Sequence, residues 1–476
     1  MRVKTSRSRT GCLQCRRKHQ KCDEKRPVCS FCNFRGIQCH YPAGFKWVQQ
    51  TEPMVSRHRP RDRGPPTGLL STFSALFGGA IRSTEERSAW EYYVRLVSSN
   101  VPALDCPENP YRQLSITALT APILLETIIC IAAEHMLNFG LGSEPAAAER
   151  QQRMLRSIRQ GLQMIEMSSH ARWHDHRHEA CLAAVVLQGI VVAQRPDGVL
   201  EPHVKCASYL MHTLGCFQEI PSTPLARLTT QRFAMVDLML AISRQRRPYA
   251  PRSFILYQPD ADRWDQTEPS FHKMTGCPQP LMCFLLRIAH LACDVDECLR
   301  DDVPEHEVLS RAFELESELC AWGLQYTGAI ADGSSRPLLD ILTECFYWTA
   351  HLLLARRVFR DATRSPRIQH LAQTCFRLMD HLPTGCGPDS SLPQPFYLAA
   401  REAVRVEDRD WVRRKHEAMT AYYREQQRNS AMELTEKIWA RSDGLRGVEV
   451  ETNGMAQSIE DRFVKELDRE SSLFIF

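Results

Sequence analysis

Six cysteines near the start of the chain constrain its folding more than any other feature. Cys12, Cys15, Cys22, Cys29, Cys32 and Cys39 are spaced C-x2-C-x6-C-x6-C-x2-C-x6-C, so the half-unit C-x2-C-x6-C occurs twice. A C-x2-C pair lets two thiolates reach one ion across a tight turn, and a third thiolate after six intervening residues can return to it from a short helix. Zinc takes four ligands, so three thiolates per half leave each site one short. Six sulfurs complete two tetrahedra only if two of them bridge both metals. The spacing therefore predicts a binuclear thiolate cluster holding two Zn²⁺ per chain. A module this small cannot be held by apolar burial alone, so metal binding supplies most of its folding free energy.

The chain has 476 residues, 43% hydrophobic and 24% charged, which suits a small module followed by a large folded body. The net charge of +4 conceals a gradient. Residues 1 to 64 carry sixteen Lys and Arg against Asp23, Glu24, Glu52 and Asp62, leaving the remainder net acidic. A basic end on an acidic body suggests a polyanionic partner. The N-terminus lacks the apolar stretch of a secretory signal, and the apolar run Ala180 to Ala193 is shorter than the roughly 18 residues of a membrane span. The expectation is a soluble intracellular protein without a membrane partner, whose 19 cysteines are thiols or metal ligands.

The segment TGCLQCRRKHQKCDEKRPVCSFCNFRGIQCHYP resembles the fungal Zn(2)-Cys(6) binuclear cluster transcription factors over roughly residues 10 to 42. The resemblance rests on the cysteine spacings, the basic run after Cys15, Asp23 and Pro27. It implies that Cys12 and Cys29 bridge, that Cys15 and Cys22 complete one zinc, and that Cys32 and Cys39 complete the other.

Between Cys15 and Cys22 lies Arg16-Arg17-Lys18-His19-Gln20-Lys21, a basic helical turn or two of a size that enters a major groove. By resemblance, Lys18 and His19 read base edges, commonly of a CGG triplet, while Arg16 and Lys21 grip phosphates. Arg17 belongs to the same DNA-facing run. Many members have lysine where this chain has His19, which is read either as a base contact or as a solvent-facing helix residue. The implied partner is double-stranded DNA, the implied location the nucleus, and the implied role regulation of RNA polymerase II transcription.

Lys4, Arg7 and Arg9 precede the cluster, and Arg57, Arg59, Arg61 and Arg63 follow it in a proline-broken segment. These flanks read as phosphate contacts, as nuclear-import signals or as solvated linker. Residues 43 to 66 carry no heptads, which leaves a monomer or a homodimer formed through the body.

From about residue 68 the apolar residues recur with helical period. Ile123, Leu124, Ile128, Ile131, Ala132 and Met136 form one stripe, and Met154, Ile158, Leu162 and Ile165 another. Ala180 to Ala193 reads as one central buried helix. Further helices are predicted over 203–218, 228–244, 281–299, 306–324, 338–360, 366–381 and 408–440, with loops near 326–337 and 382–394. The fold class is mostly α, a zinc-cluster module followed by a large all-helical regulatory domain. The organisation is a basic arm (1–10), the zinc module (11–42), a basic Pro-rich linker (43–67), the helical body (68–445) and an acidic-hydrophobic C-terminal segment (446–476). The body resembles the second class of fungal-specific transcription factor domain through LFGG (76–79), AWEYYV (89–94), PALD (102–105), NPYR (109–112) and the run from Pro122.

Other chemistry finds less support. His170, His174, His176 and His178 crowd HARWHDHRH, which could hold a transition metal but reads more simply as an exposed interhelical loop. The thirteen cysteines from Cys106 to Cys386 read as small core residues. HExxH, GxSxG and the glycine-lysine phosphate loop are absent, so no enzyme is expected. The C-terminal Glu449 to Phe476 suits a docked amphipathic helix or an activation segment that recruits transcription machinery. The competing reading is a zinc-stabilised adaptor that binds protein or RNA without sequence-specific DNA recognition.

Overall fold

Short polar caps followed by proline set where many helices begin. Asn109, Thr223 and Ser365 each accept a backbone N–H from the first turn, and each is followed by proline at the first helical position. The cap satisfies an orphan donor and proline lacks the N–H that would have been another. The computed structural model describes residues 12, 14, 15, 18, 22, 23, 25, 28–39, 81, 83–168, 172–196, 198–258, 271–301, 306–328 and 337–444. They fall into two units, Met1–Gly68 and Leu69–Phe476.

The first unit contains the helix α1 (Ser30–Phe34). In the second, α2 (Thr84–Tyr92) runs through a π-helical turn (Tyr93–Val97) into Ser98–Asn100. There follow α3 (Pro110–Thr117), α4 (Pro122–Asn138), α5 (Glu144–Glu166), α6 (His176–Val186), α7 (Gln188–Ala193), α8 (Glu201–Leu214) and α9 (Pro224–Arg244). Next come α10 (Phe271–Thr275), α11 (Gln279–Asp301), α12 (His306–Gly328) and α13 (Leu338–Leu353), the last continuing as a π turn (Leu354–Val358). The chain closes with α14 (Pro366–Asp380), α15 (Pro393–Arg401), α16 (Val406–Tyr423) and α17 (Gln427–Gly444). No strand occurs among the described residues, as the all-helical reading expects.

The core runs through α6 and α9, which are buried almost end to end. Around them α4 packs on α5, α13 on α14, and α15 on α17. The stretch Leu338–Val358 is long and apolar enough to cross a membrane. It is a core element here, with Leu342, Cys345, Phe346, Ala350 and Leu354 buried. Inside the core, Asp237 accepts the backbone N–H groups of Tyr249 at 2.9 Å and Ala250 at 2.8 Å. The C-terminal helices return to the N-terminal ones. Arg424 lies over the Phe139 ring, and Gln427 Nε2 donates to the carbonyls of Arg195 and Gly198 at 2.9 and 3.1 Å.

Several boundaries differ from the sequence reading. The run Ala180 to Ala193 is divided between α6 and α7 by Leu187, whose ψ of −10° ends the first helix. The helix expected over 408–440 is two, because Arg424 takes a left-handed conformation at φ 55°. The helix expected over 203–218 stops at Leu214, where Gly215 adopts φ 78°. The loop expected from 382 to 394 includes a 3-10 turn, Pro388–Ser391, and gives way at Pro393 to α15, which the periodicity did not reveal. Helices α2 and α3 were likewise missed. The basic arm, the Pro-rich linker and the C-terminal segment from 446 lie outside the described residues.

Candidate metal centre and nucleic-acid interface

Cys12, Cys15, Cys22, Cys29 and Cys32 are buried, and they form a core of their own against which Phe31, Ile37 and Cys39 pack. Their arrangement repeats the repeat in the sequence. In the first half the Cys15 N–H points at Cys12 Sγ (3.4 Å) and the Cys12 N–H at Cys22 Sγ (3.4 Å). In the second half the Cys32 N–H points at Cys29 Sγ (3.5 Å) and the Cys29 N–H at Cys39 Sγ (3.4 Å). Contacts between halves follow the same symmetry: Cys12 to Cys32 at 3.5 Å, Cys29 to Cys15 at 3.6 Å, and Cys12 to Cys29 at 3.7 Å.

These spacings discriminate between chemistries. A disulfide needs sulfurs about 2.05 Å apart. Tetrahedral sulfurs at about 2.3 Å from one zinc stand about 3.8 Å from each other. The observed contacts sit close to the second value, so the residues fit a zinc–thiolate cluster. The backbone N–H groups aimed at sulfur favour thiolate over thiol.

Electrostatics separates two sulfurs from the rest. Burial pushes the Cys12 and Cys29 thiols up, but N–H donation from Cys15 and Cys32 together with neighbouring thiols outweighs it, and both end below the ordinary thiol value. Burial, reinforced by the contacts to Cys12 and Cys29, pushes Cys15 and Cys32 well up. Cys39 is pulled down by the Cys29 N–H and pushed up more strongly by burial and the neighbouring thiols Cys12 and Cys29. Among Cys12, Cys15, Cys29, Cys32 and Cys39, negative charge is thus placed most readily on Cys12 and Cys29.

Two features of the module were not legible in the sequence. Asp23 accepts from the Ser30 N–H (3.1 Å) and Oγ–H (2.6 Å), tying the residue after Cys22 to the first residue of α1. Its carboxyl is held below the usual range chiefly by the Ser30 hydroxyl. Lys18 and Arg35 also occupy equivalent places, each exposed in a turn and each donating its N–H four residues back, to Gln14 (3.0 Å) and Phe31 (3.2 Å). Of the DNA-facing candidates only Lys18 is described. Arg16, Arg17, His19 and Lys21 lie outside the described residues.

The histidine stretch does not converge. His174 pairs with Glu219 at 3.3 Å, His176 with Glu179 at 3.7 Å, and His178 Nδ1 meets the Arg172 carbonyl at 2.9 Å; His170 lies outside the described residues. Among the described residues the metal-competent groups of His, Cys, Asp and Glu all centre on the N-terminal cysteines. Of the thirteen later cysteines seven are buried, five are half-buried, and Cys320 is exposed, a departure from the core role expected of them all.

Residues 10–47 match the fungal Zn(2)-Cys(6) binuclear cluster domain, and residues 89–459 match the fungal specific transcription factor domain. The chain is 40% identical over 52 residues, 11% of its length and 12% of the relative's, to the thiamine biosynthesis regulatory protein of Saccharomyces cerevisiae. It is 52% identical over 40 residues, 8% of its length and 11% of the relative's, to the Zn(2)-C6 fungal-type transcription factor afumD of Aspergillus fumigatus. It is 36% identical over 70 residues, 15% of its length and 22% of the relative's, to transcription factor FUP7 of Fusarium proliferatum. The chain thus spans no more than about a fifth of these curated relatives. No solved structure matches it.

Proposed function

The chain belongs to the fungal specific transcription factor domain family, and from that premise we propose that it is a sequence-specific DNA-binding regulator of RNA polymerase II transcription. The observation that carries the reading is the paired geometry of the cysteines, with sulfur contacts between halves of 3.5 to 3.7 Å. Cys12, Cys15, Cys22, Cys29, Cys32 and Cys39 would hold two zinc ions. Cys12 and Cys29 would be the pair shared between the two ions, a reading supported by their sulfur contacts across the halves. When bound, zinc would supply folding free energy to a module whose buried side chains, among the described residues, are thiols.

The ordered module then presents its basic turn. Lys18 and His19 reach base edges of a CGG-like half-site, while Arg16, Arg17 and Lys21 fix the register through phosphates. The family is not an enzyme class, and the body serves regulation: it pairs subunits, receives a signal or engages transcription machinery, in the nucleus.

Zinc content and duplex binding of the full chain, measured together at two salt concentrations, test this. Two zincs per chain and CGG preference are expected. Cys29→Ala should lose zinc and binding together. Lys18→Ala should keep its zinc and lose roughly 1–3 kcal/mol of discrimination between CGG-containing and scrambled duplexes. Equal competition by scrambled duplex would instead favour the adaptor reading.

A further inference from the structure

Three helix ends meet at a cleft of about 410 Å³ in the body. Helix α4 finishes there at Asn138, and the second half of α16 supplies His416 and Glu417 before passing into Arg424. The turn into α17 supplies Gln426, and the first turn of α17 supplies Asn429. Small-ligand sites occupy roughly 300–1,000 Å³ and are mostly apolar. This cleft has the size and a polar lining instead, which suits a small charged molecule.

Two opposite charges stand in its wall uncompensated. Glu417 makes no side-chain hydrogen bond or ion pair among the described residues. Arg424 meets no carboxylate among them; its guanidinium lies 4.8 Å from the centre of the Phe139 ring and donates once, at 3.5 Å, to the Asn138 carbonyl. Elsewhere the body pairs such groups, Arg247 with Asp294 and Glu297, and Arg413 with Glu436. Glu417 and Arg424 line one cleft yet do not pair with each other, which leaves room between them for a molecule that carries both charges. Arg424 also holds φ 55°, a conformation that glycine takes more easily, so a guanidinium stands where the backbone favours no side chain.

The neutral groups of the wall each keep one hydrogen-bonding atom to spare. Asn138 Nδ2 donates to the Gln194 carbonyl at 2.9 Å and to its Oε1 at 3.0 Å, which leaves Asn138 Oδ1 as an acceptor. Gln426 Oε1 accepts from Asn429 at 3.4 Å, which leaves Gln426 Nε2 as a donor. Burial, and then the Arg428 cation, push His416 down to about 4, so its ring is neutral at pH 7. Burial keeps the Tyr397 phenol protonated, and its hydroxyl donates to His416 Nδ1 at 2.9 Å, which places the ring proton on Nε2. The helix ends agree with this division, since α4 and α16 bring carbonyl ends to the cleft and α17 brings an amide end.

We propose that this cleft binds a small zwitterion of the amino-acid class, its carboxylate on Arg424 and its ammonium on Glu417. This gives a chemical identity to the signal that the body receives in the proposed function, and rests on that reading. The bound molecule bridges the end of α4 to the turn between α16 and α17, beside the contacts that return the C-terminal helices to the N-terminal ones. Glu417 and Arg424 are exposed to water, so each ion pair is weak and the expected Kd is about 0.1–1 mM.

Isothermal titration calorimetry of the zinc-loaded full chain, without DNA, tests this with four probes. γ-Aminobutyrate and L-alanine carry both charges at different separations, whereas butyrate and butylamine carry one each. One-to-one binding of at least one zwitterion is expected, with butyrate and butylamine about tenfold weaker or more. Glu417→Gln and Arg424→Gly should each lower that affinity about tenfold or more. Because glycine suits φ 55°, the Arg424→Gly chain should keep the circular dichroism and zinc content of the wild type. Hydrogen exchange around Asn138 and Arg424 should slow when the zwitterion is bound. Failure of both zwitterions to bind at up to about 10 mM, butyrate or butylamine binding as well as they do, or an affinity indifferent to both substitutions overturns the proposal. Since no duplex is present, a chain that binds the zwitterion but not DNA keeps this site and loses the DNA-reading role alone.

Discussion

At the scale of single residues, the zinc module depends on a contact its spacing does not show. Asp23 joins the end of the first cysteine half to α1 of the second through Ser30. Asp23→Ala should leave six thiols and two zincs but release metal to a chelator several-fold faster, whereas Asp23→Asn, which keeps an acceptor, should release it near the wild-type rate. In the body, Gly276 has φ 76°, and a Cβ there would stand 2.3 Å from Leu342 Cδ2 and 3.3 Å from the Ala103 Cβ. Gly276→Ala therefore combines backbone strain with overpacking and should cost about 1–3 kcal/mol, read as a lower thermal midpoint without change in zinc content.

At the scale of elements, the N-caps make individual helices separable. Ser365 accepts the Ile368 N–H at 3.2 Å, so Ser365→Ala should destabilise α14 by about 1 kcal/mol in urea unfolding. How legible the helices were depended on what ends them. The stripe of α5 lies on the residues the periodicity marked, because a 3.6-residue period is written directly in side-chain polarity, whereas α4 is buried well beyond its marked stripe, Leu125, Ile129, Glu134 and His135 included. The breaks at Leu187 and Arg424 were invisible, because neither position is a glycine or a proline. The cysteine half-repeat was legible because ligand spacing is local. The Asp23–Ser30 tie was not, since it exists only once the two halves have folded onto each other. Helices α3 and α15 are short, and a window of two turns holds too few apolar positions to show a period, while the stretch begun by α2 passes through a π turn that breaks the 3.6-residue period.

At the scale of the whole molecule, burial sets the response of the body to acid. His135, His272, His290, His351 and His416 are each pushed down to about 4 by burial. Their folded values lie below the unfolded value of about 6.5, so between the two the unfolded chain binds more protons. Stability is therefore retained above about pH 6.5 and lost as pH falls from there toward 4. Each histidine contributes on the order of 1 kcal/mol to that loss. The urea midpoint of the body, followed by tryptophan fluorescence, should fall steadily between pH 7 and pH 5. The whole-molecule feature with the longest reach is the return of Arg424 and Gln427 to Phe139, Arg195 and Gly198. A chain emerging from the ribosome has its cysteine array complete after Cys39, while its helical bundle stays open until the residues beyond Tyr423 have been made. A product interrupted between those points would carry the complete cysteine array on a body that lacks this closing contact.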